Sequence, residues 1–408
     1  MTNLTSESDK FIRALLEELE VPEENYKRAE RSYKSFGDWV HRDDSQIVDF
    51  APEVYVQGSF RLGTAIKPSS ADGEYDIDLV CVLQKIQKSL VTQEDLKSLV
   101  GGEVSSYREA KAIKKPVKQG QRCWTLEYAD GAHFHMDILP ALPNGESQRL
   151  LLEARGLGTS FADTAIAITD RDDDFYQTIS DDWPRSNPKG YAEWFRSRMT
   201  DVFEKLRKEL AEAETRKGVQ ASIEDIPEYR VRTPLQQSIM ILKRHRDDMF
   251  LDDKLKRKPI SIIISTLAAH AYEGESNIGD ALLGILSRMQ DHIKHNGDEY
   301  VIANPSDLTE NFADKWKKHP DRETAFFSWL NQAKDDFFAL AKLANLQEMA
   351  KPTTTHLDSE LTDRALQRVV RSSGASLLGA AAVAPVAASS THAFSDEPRM
   401  PSTPRDFA

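Results

Sequence analysis

The spacing of apolar residues changes along this chain, and the changes mark its elements. In residues 7–20, ESDKFIRALLEELE, Phe11, Leu15, Leu16 and Leu19 recur at helical spacing and predict an amphipathic helix. Pro22 opens a second predicted helix reaching about Val40, with Tyr26, Tyr33, Phe36 and Val40 on its buried side. From Glu53 the period falls toward two. EVYVQGSF is strand-like and stops at Gly58, and YDIDLVCVL at 75–83 alternates and is rich in strand formers. RCWTLEYADGAHFHMDIL at 122–139 predicts two strands joined around Asp130-Gly131, a pair suited to a hairpin. With residues 92–115 as a helical insertion, these segments predict one mixed sheet. Helices then dominate. One is expected from Tyr191 to about Glu214, and another from Pro234 to about Met249, capped by Thr233. A buried helix is expected at 259–272, PISIIISTLAAHAY, and two more near 279–295 and 321–349. Residues 372–408 are biased to Ala, Ser and Pro; they cannot bury enough apolar surface to offset ordering and predict a flexible tail.

These patterns predict an α+β fold divided into 1–190 (sheet core with N-terminal helices), 191–350 (helical) and 351–408 (tail), within the reach of a 408-residue chain. The composition, 40% hydrophobic and 29% charged, is that of a soluble protein, and no apolar run approaches the roughly 20 residues needed to span a bilayer. The polar start, MTNLTSESDK, has no signal-peptide pattern, so a cytoplasmic location with no membrane partner is expected. Cys81 and Cys123 lack CxxC spacing and are expected to be reduced core residues. The net charge of -13 argues against a long nucleic acid as partner, because phosphate neutralisation normally demands a basic face. Small nucleotides fit the charge better.

Three pieces carry chemistry. Residues two apart on a strand share a face, roughly 7 Å apart along the backbone, so Asp76 and Asp78 project together while Ile77, Leu79 and Cys81 face a core. Two adjacent carboxylates repel unless a cation lies between them. Asp137 repeats the pattern on a second strand, sharing a face with His133 and His135 while Phe134, Met136 and Ile138 form the other. If the two strands are neighbours, three carboxylates converge, the ligand set of a two-metal site. Gly58-Ser59 at the end of a strand offers a phosphate close approach and a hydroxyl donor. Each piece alone has a bland reading: a turn, a solvated edge, an exposed strand residue. The apolar flanks of YDIDLVCVL and FHMDIL count against it, since buried acids are costly without a partner or a metal.

GSFRLGTAIKP, EYDIDLVCVL and FHMDILPAL in that order resemble the polymerase-β-like nucleotidyltransferases, and more narrowly the bacterial cGAS/DncV-like enzymes (CD-NTases) of anti-phage CBASS operons. The GSxxxGT extension, Gly58 through Thr64, separates this branch from many others. The resemblance implies a bilobal molecule, a mixed-sheet core and a C-terminal helical domain, with the active site in the cleft between them. It implies two Mg2+ ions, with Mn2+ as a substitute, held by Asp76, Asp78 and Asp137. Asp137 would activate a ribose hydroxyl for attack on an α-phosphate of ATP or another NTP, releasing pyrophosphate. Lys243, in QQSIMILKRHRDD, and Ser261, in KPISIIIST, match the family's triphosphate-gripping Lys and Ser; their bland readings are a surface basic run and an ordinary first-turn residue. The product would be a cyclic di- or trinucleotide that activates a downstream effector, and the pattern is most similar to clade D, which implies an adenine-containing ring. In CBASS systems with ubiquitin-transfer-like proteins, such a protein would join the C-terminus, here Ala408, to targets. The chain departs from many members in the 16 residues between Ser59 and Asp76, where SSADGE reads as an added loop. A linear 2′-5′-oligoadenylate-type or RNA-terminal nucleotidyltransferase, or an inactive nucleotide-binding adaptor, would share much of this pattern. His292 and His295 are expected to be surface residues, and the basic run 243–246 to line a groove or to be solvated.

Overall fold

The alternation at 75–83 becomes the central strand of a mixed sheet. The structure is a computed structural model describing residues 4–69, 73–128, 134–216, 230–349, 351 and 356–372. Its first half runs α1 (Ser6–Leu19), α2 (Glu23–Val40), β1 (Pro52–Val56), α3 (Gly58–Leu62), β2 (Tyr75–Leu83), α4 (Gln93–Ala110), β3 (Lys118–Gln119), β4 (Trp124–Glu127), β5 (Phe134–Pro143), α5 (Gly145–Ala154), β6 (Ile166–Ile168) and β7 (Arg185–Ser186). The sheet order is β1-β2-β5-β4-β3, with β6 on the far end of β5 and β7 on β6. Among the described residues only β2 and β5 pair in parallel; β1–β2, β4–β5 and β5–β6 are antiparallel. The fold is α+β, as expected. The Asp130-Gly131 turn and part of the SSADGE loop lie outside the described residues.

Both faces of β2 and β5 are apolar along their second halves. Ile77, Leu79, Cys81, Met136 and Ile138 pack beneath α2 and α4, while Val80, Val82, Leu139 and Ala141 pack against β6. At the first halves that second face carries acids instead of a core. Cys81 is buried, Cys123 half-buried, and both are free thiols.

The second half contains α6 (Pro188–Ser197), α7 (Thr200–Arg216), α8 (Pro234–Met249), α9 (Ser261–Ala271), α10 (Ile278–Arg288), β8 (Lys294–Asn296), β9 (Glu299–Val301), β10 (Ala303–Asn304), β11 (Asp307–Asn311), α11 (Pro320–Leu340), α12 (Leu346–Met349) and α13 (Ser359–Ser372). No helix of the described residues is long and apolar enough to cross a membrane.

Four expectations change. The helix foreseen from Tyr191 to Glu214 is two, broken after Ser197. The helix foreseen at 279–295 ends at Arg288 and gives way to a β8–β9 hairpin, whose Gly297 takes a left-handed φ of 68° that suits the turn. The long helix foreseen at 321–349 ends at Leu340 and is followed by the short α12. Within the span expected to be tail, α13 buries Leu361, Ala365 and Val369 in the helical core, and Arg364 and Arg368 pair with Glu18 of α1. Residues 373–408, including Ala408, lie outside the described residues.

The helical core also claims α1, which the sequence reading grouped with the sheet. Phe11, Leu15 and Leu19 are fully buried among residues of α8, α10 and α11, and Ser8 Oγ donates to Leu340 O at 2.6 Å. Met1–Val369 is one compact unit that contains both the sheet core and the helical core.

Helix α8 begins as the sequence predicts. Thr233 Oγ1 accepts from Gln236 N–H, the Gln236 side chain accepts from Thr233 N–H at 2.9 Å, and Pro234 fills the first helical position. This capping box is fully buried. Thr233→Ala should therefore cost about 1–2 kcal/mol, read as a lower urea midpoint with an unchanged slope.

Candidate active site

The parallel register of β2 and β5 sets Asp78 opposite Asp137 and Asp76 opposite His135. All four side chains share the face that lacks a core, because residues two apart on a strand point the same way. Ligand atoms of Asp76, His135 and Asp137 lie within 4.8 Å of one another, and this is the one such His/Cys/Asp/Glu group among the described residues. His135, which shares a strand face with Asp137, sits between two acids: Nε2 is 3.2 Å from Asp76 Oδ1 and Nδ1 is 3.5 Å from Glu74 Oε2. On the other side, Thr125 of β4 donates its hydroxyl to Asp137 Oδ1.

Asp78 is the most enclosed of the acids. Gly58 opens α3 with a φ of 65°, and a Cβ there would stand 2.1 Å from Asp78 Oδ2. Glycine is needed at 58 for both reasons, conformation and space. Gly58-Ser59 is thus the start of a short helix that Gly63 closes at φ 66°, rather than a simple turn. Gln57 N–H donates to Asp78 O at 2.8 Å and fixes the junction to β2.

A cleft of about 640 Å³ separates this edge from the helical core. Gly58, Ser59, Asp76 and Asp78 line it on one side; Lys243, Arg246, Lys258 and Ser261 line it on the other. The sequence candidates Lys243 and Ser261 therefore share the cleft with the Asp-x-Asp pair, while Asp137, whose ligand atom lies within 4.8 Å of that of Asp76, is next to its lining. Lys243 Nζ donates to Thr64 O at 2.9 Å. Arg246, not singled out from the sequence, donates to Ser261 Oγ at 2.8 Å and to Pro259 O at 3.0 Å and pairs with Asp247. Lys258 reaches the same Asp247 at 3.2 Å. Helical spacing held the signal: 243 and 246 share a face, while Arg244 bonds Lys67 O and His245 points into the core toward Asp336. His292 stacks on His270 with ring centres 5.4 Å apart and His295 packs on Tyr300, both on the helical side.

The charges follow from this packing. Burial, then the neighbouring charges of Asp76 and Asp137, push the Asp78 carboxyl up to about 7. Burial also raises Asp137, against the Thr125 hydrogen bond. The hydrogen bond to Asp76 lifts His135 to about 9, and burial lowers Lys243 to about 8. An oxygen-rich group in which Asp78 and Asp137 are both held back from ionising fits a hard divalent cation, which supplies positive charge.

Two outcomes are expected. In metal-free buffer, Asp78 ionises in the unfolded chain near its ordinary value of 3.8 but in the fold only near 7, so unfolding is favoured as pH rises between them. The His135 contribution is lost as pH rises from 6.5 toward 9, again downward. Thermal midpoints should therefore fall across both windows; Asp78→Asn should flatten the lower one, and a divalent cation should restore the wild type at high pH. Separately, Gly58→Ala should destabilise by about 1–2 kcal/mol from the left-handed φ alone, plus the clash with Asp78. A denaturation cycle with Asp78→Ala should recover the clash and leave the φ cost.

The comparisons with known proteins agree with this geometry. Residues 52–140 match the family model described as cyclic GMP-AMP synthase DncV-like, nucleotidyltransferase domain. The chain is 27% identical over 351 residues to a c-di-GMP synthase of Roseivirga ehrenbergii, spanning 86% of this chain and 84% of that protein. It is 23% identical over 377 residues to the cyclic dinucleotide synthase CdnG of Bradyrhizobium diazoefficiens, spanning 89% and 82%. Among solved structures, that CdnG in complex with GTP shares the fold at a TM-score of 0.64, with 20% identity over 90% of this chain and 100% of the other. E. coli MS115-1 CdnC with ATP matches at 0.51, with 15% identity over 88% and 96%. The matched segment holds Gly58, Ser59, Asp76, Asp78 and Asp137, and over that span the chain is similar to the nucleotidyltransferase domain of the DncV-like enzymes.

Proposed function

We propose that this nucleotidyltransferase closes two nucleoside triphosphates into a cyclic dinucleotide, releasing pyrophosphate at each bond. One observation carries the reading: Asp76 and Asp78 share a cleft of triphosphate size with Lys243, Arg246 and Lys258, three cations against the single acid Asp247 that pairs with the last two. Asp76, Asp78 and Asp137 hold the divalent ions, for which Mg2+ suits the all-carboxylate oxygen set and Mn2+ is a close substitute. Bound there, the ions stabilise charge on the phosphoryl oxygens and make a ribose hydroxyl more acidic. Asp137 accepts the hydroxyl proton. Its raised pKa suits a general base, and Thr125 occupies Oδ1, which leaves Oδ2 for the proton. Ser59 and Ser261 donate to the triphosphate, and Lys243 and Arg246 neutralise it.

A ring is favoured over a linear chain because both curated relatives are named for cyclic dinucleotides. The same names, with the GTP-bound neighbour, support guanine over the adenine and the clade D assignment that the motif resemblance implied. Service as a second messenger for a downstream effector in anti-phage defence belongs to this reading, as does a cytoplasmic site of action.

Incubation with all four triphosphates and Mg2+, phosphatase treatment and mass spectrometry test it, each triphosphate being omitted in turn. A phosphatase-resistant cyclic dinucleotide that disappears without GTP is expected. Asp137→Asn should lower the rate by about 10²-fold or more while keeping its thermal midpoint. A phosphatase-labile linear product would replace the ring with an oligoadenylate-type chain, and equal rates for the variant would remove Asp137 from the chemistry.

A further inference from the structure

Two surface loops lie largely outside the site described above, the first sending only Lys258 into the cleft, and each exposes apolar side chains among charges of mostly one sign. The first joins α8 to α9. Leu251, Leu255 and Ile260 are 75%, 68% and 50% exposed, and Lys254 and Lys256 stand out beside them. Asp253 shapes this loop by accepting from Lys258 N–H at 2.7 Å and from Arg257 Nε at 3.2 Å. Arg257 and Lys258 are therefore committed, to Asp253 and Asp247. Lys254 and Lys256 have no side-chain partner among the described residues.

The second surface joins the segment after β2 to the loop after β6. Leu90, Phe175 and Ile179 are 71%, 45% and 59% exposed. Glu94 N–H donates to Tyr176 O at 3.1 Å and Lys88 Nζ to Asp181 O at 2.7 Å, so the two segments that carry these exposed side chains run side by side. The sequence there is RDDDFYQTISDD, and the exposed carboxylates of Asp172 and Asp174 have no partner among the described residues.

Exposed large apolar residues inside a charged rim mark an interaction surface, and opposite rims select the partner. We propose that the chain self-associates head to tail, the basic 250–260 loop of one copy docking on the acidic 170–182 loop of another. Leu251, Leu255 and Ile260 cover Leu90, Phe175 and Ile179, while Lys254 and Lys256 meet Asp172 and Asp174. A second copy is the occupant because each surface is complementary to the other in charge and in apolar content. Such a contact uses two different patches, so it continues past a dimer into a ring or a filament. It also touches the loop that supplies Lys258 to the nucleotide cleft, which would make nucleotide affinity depend on protein concentration.

Sedimentation velocity of the full chain over a wide concentration range tests it. Wild type should form species larger than a dimer as concentration rises. Asp172→Lys with Asp174→Lys, and Lys254→Asp with Lys256→Asp, should each remain monomeric with unchanged circular dichroism. Mixed one to one, these two reversed variants present matched charges again and should regain the wild-type species. A wild type that stays monomeric throughout, reversed variants that associate as it does, or a mixture that stays monomeric would each overturn the proposal.

Discussion

The molecule is organised around repulsion among carboxylates that the sheet forces together. A parallel pairing fixes Asp78 opposite Asp137, and the core beneath β2 and β5 cannot shift register to separate them without turning Ile77, Leu79, Met136 and Ile138 outward. The acids cannot relax away, so the charge problem is answered locally. His135 lends a positive ring to Asp76, Thr125 gives a hydroxyl to Asp137, and Asp78 leans toward its protonated form. The apolar packing that holds the strands in place is thus also what tunes the site.

Gly58 shows how tightly the surroundings close on that group. Asp78 presses against its Cα so closely that no side chain fits, which brings backbone and Ser59 to the mouth of the same cleft. A glycine-serine pair is weak evidence in a sequence because turns use it everywhere. Against a buried carboxylate it becomes a steric requirement.

Much of this was legible in the residues themselves. Period-two alternation with acids on one face and Ile, Leu and Cys on the other put Asp76 and Asp78 side by side and left Asp137 to a strand pairing that β2 and β5 make, and the Thr233-Pro234 start of α8 was plain. Patterning shows that a stripe is buried but not against what, and so α1 was grouped with the sheet when Leu15 and Leu19 pack among helices. Compositional bias hid α13, whose Leu361, Ala365 and Val369 are too few to stand out beside the Ala- and Ser-rich residues that follow. Arg246 stood only as part of the basic run 243–246, open between groove and solvent, because four consecutive basic residues give no direction until helical phase is applied to them. The Asn296-Gly297 turn signal was overlooked because the surrounding residues are not strand-rich.

Helix α8 joins the two cores, and its phase explains how. Lys243 and Arg246 face the cleft, and between them His245 is sunk in the helical core. The indole N–H of Trp329 can only donate, so His245 Nδ1 accepts at 3.1 Å and the ring proton must sit on Nε2, aimed at Asp336 at 2.9 Å. Asp336 also takes bonds from Gln332 and His356, which satisfies a buried carboxylate and holds it well below the usual range. A helix pinned on one face by a saturated polar network has little freedom to rotate. Its opposite face can then carry partly desolvated cations toward the acids without collapsing onto them, which leaves the intervening space open to a polyanion.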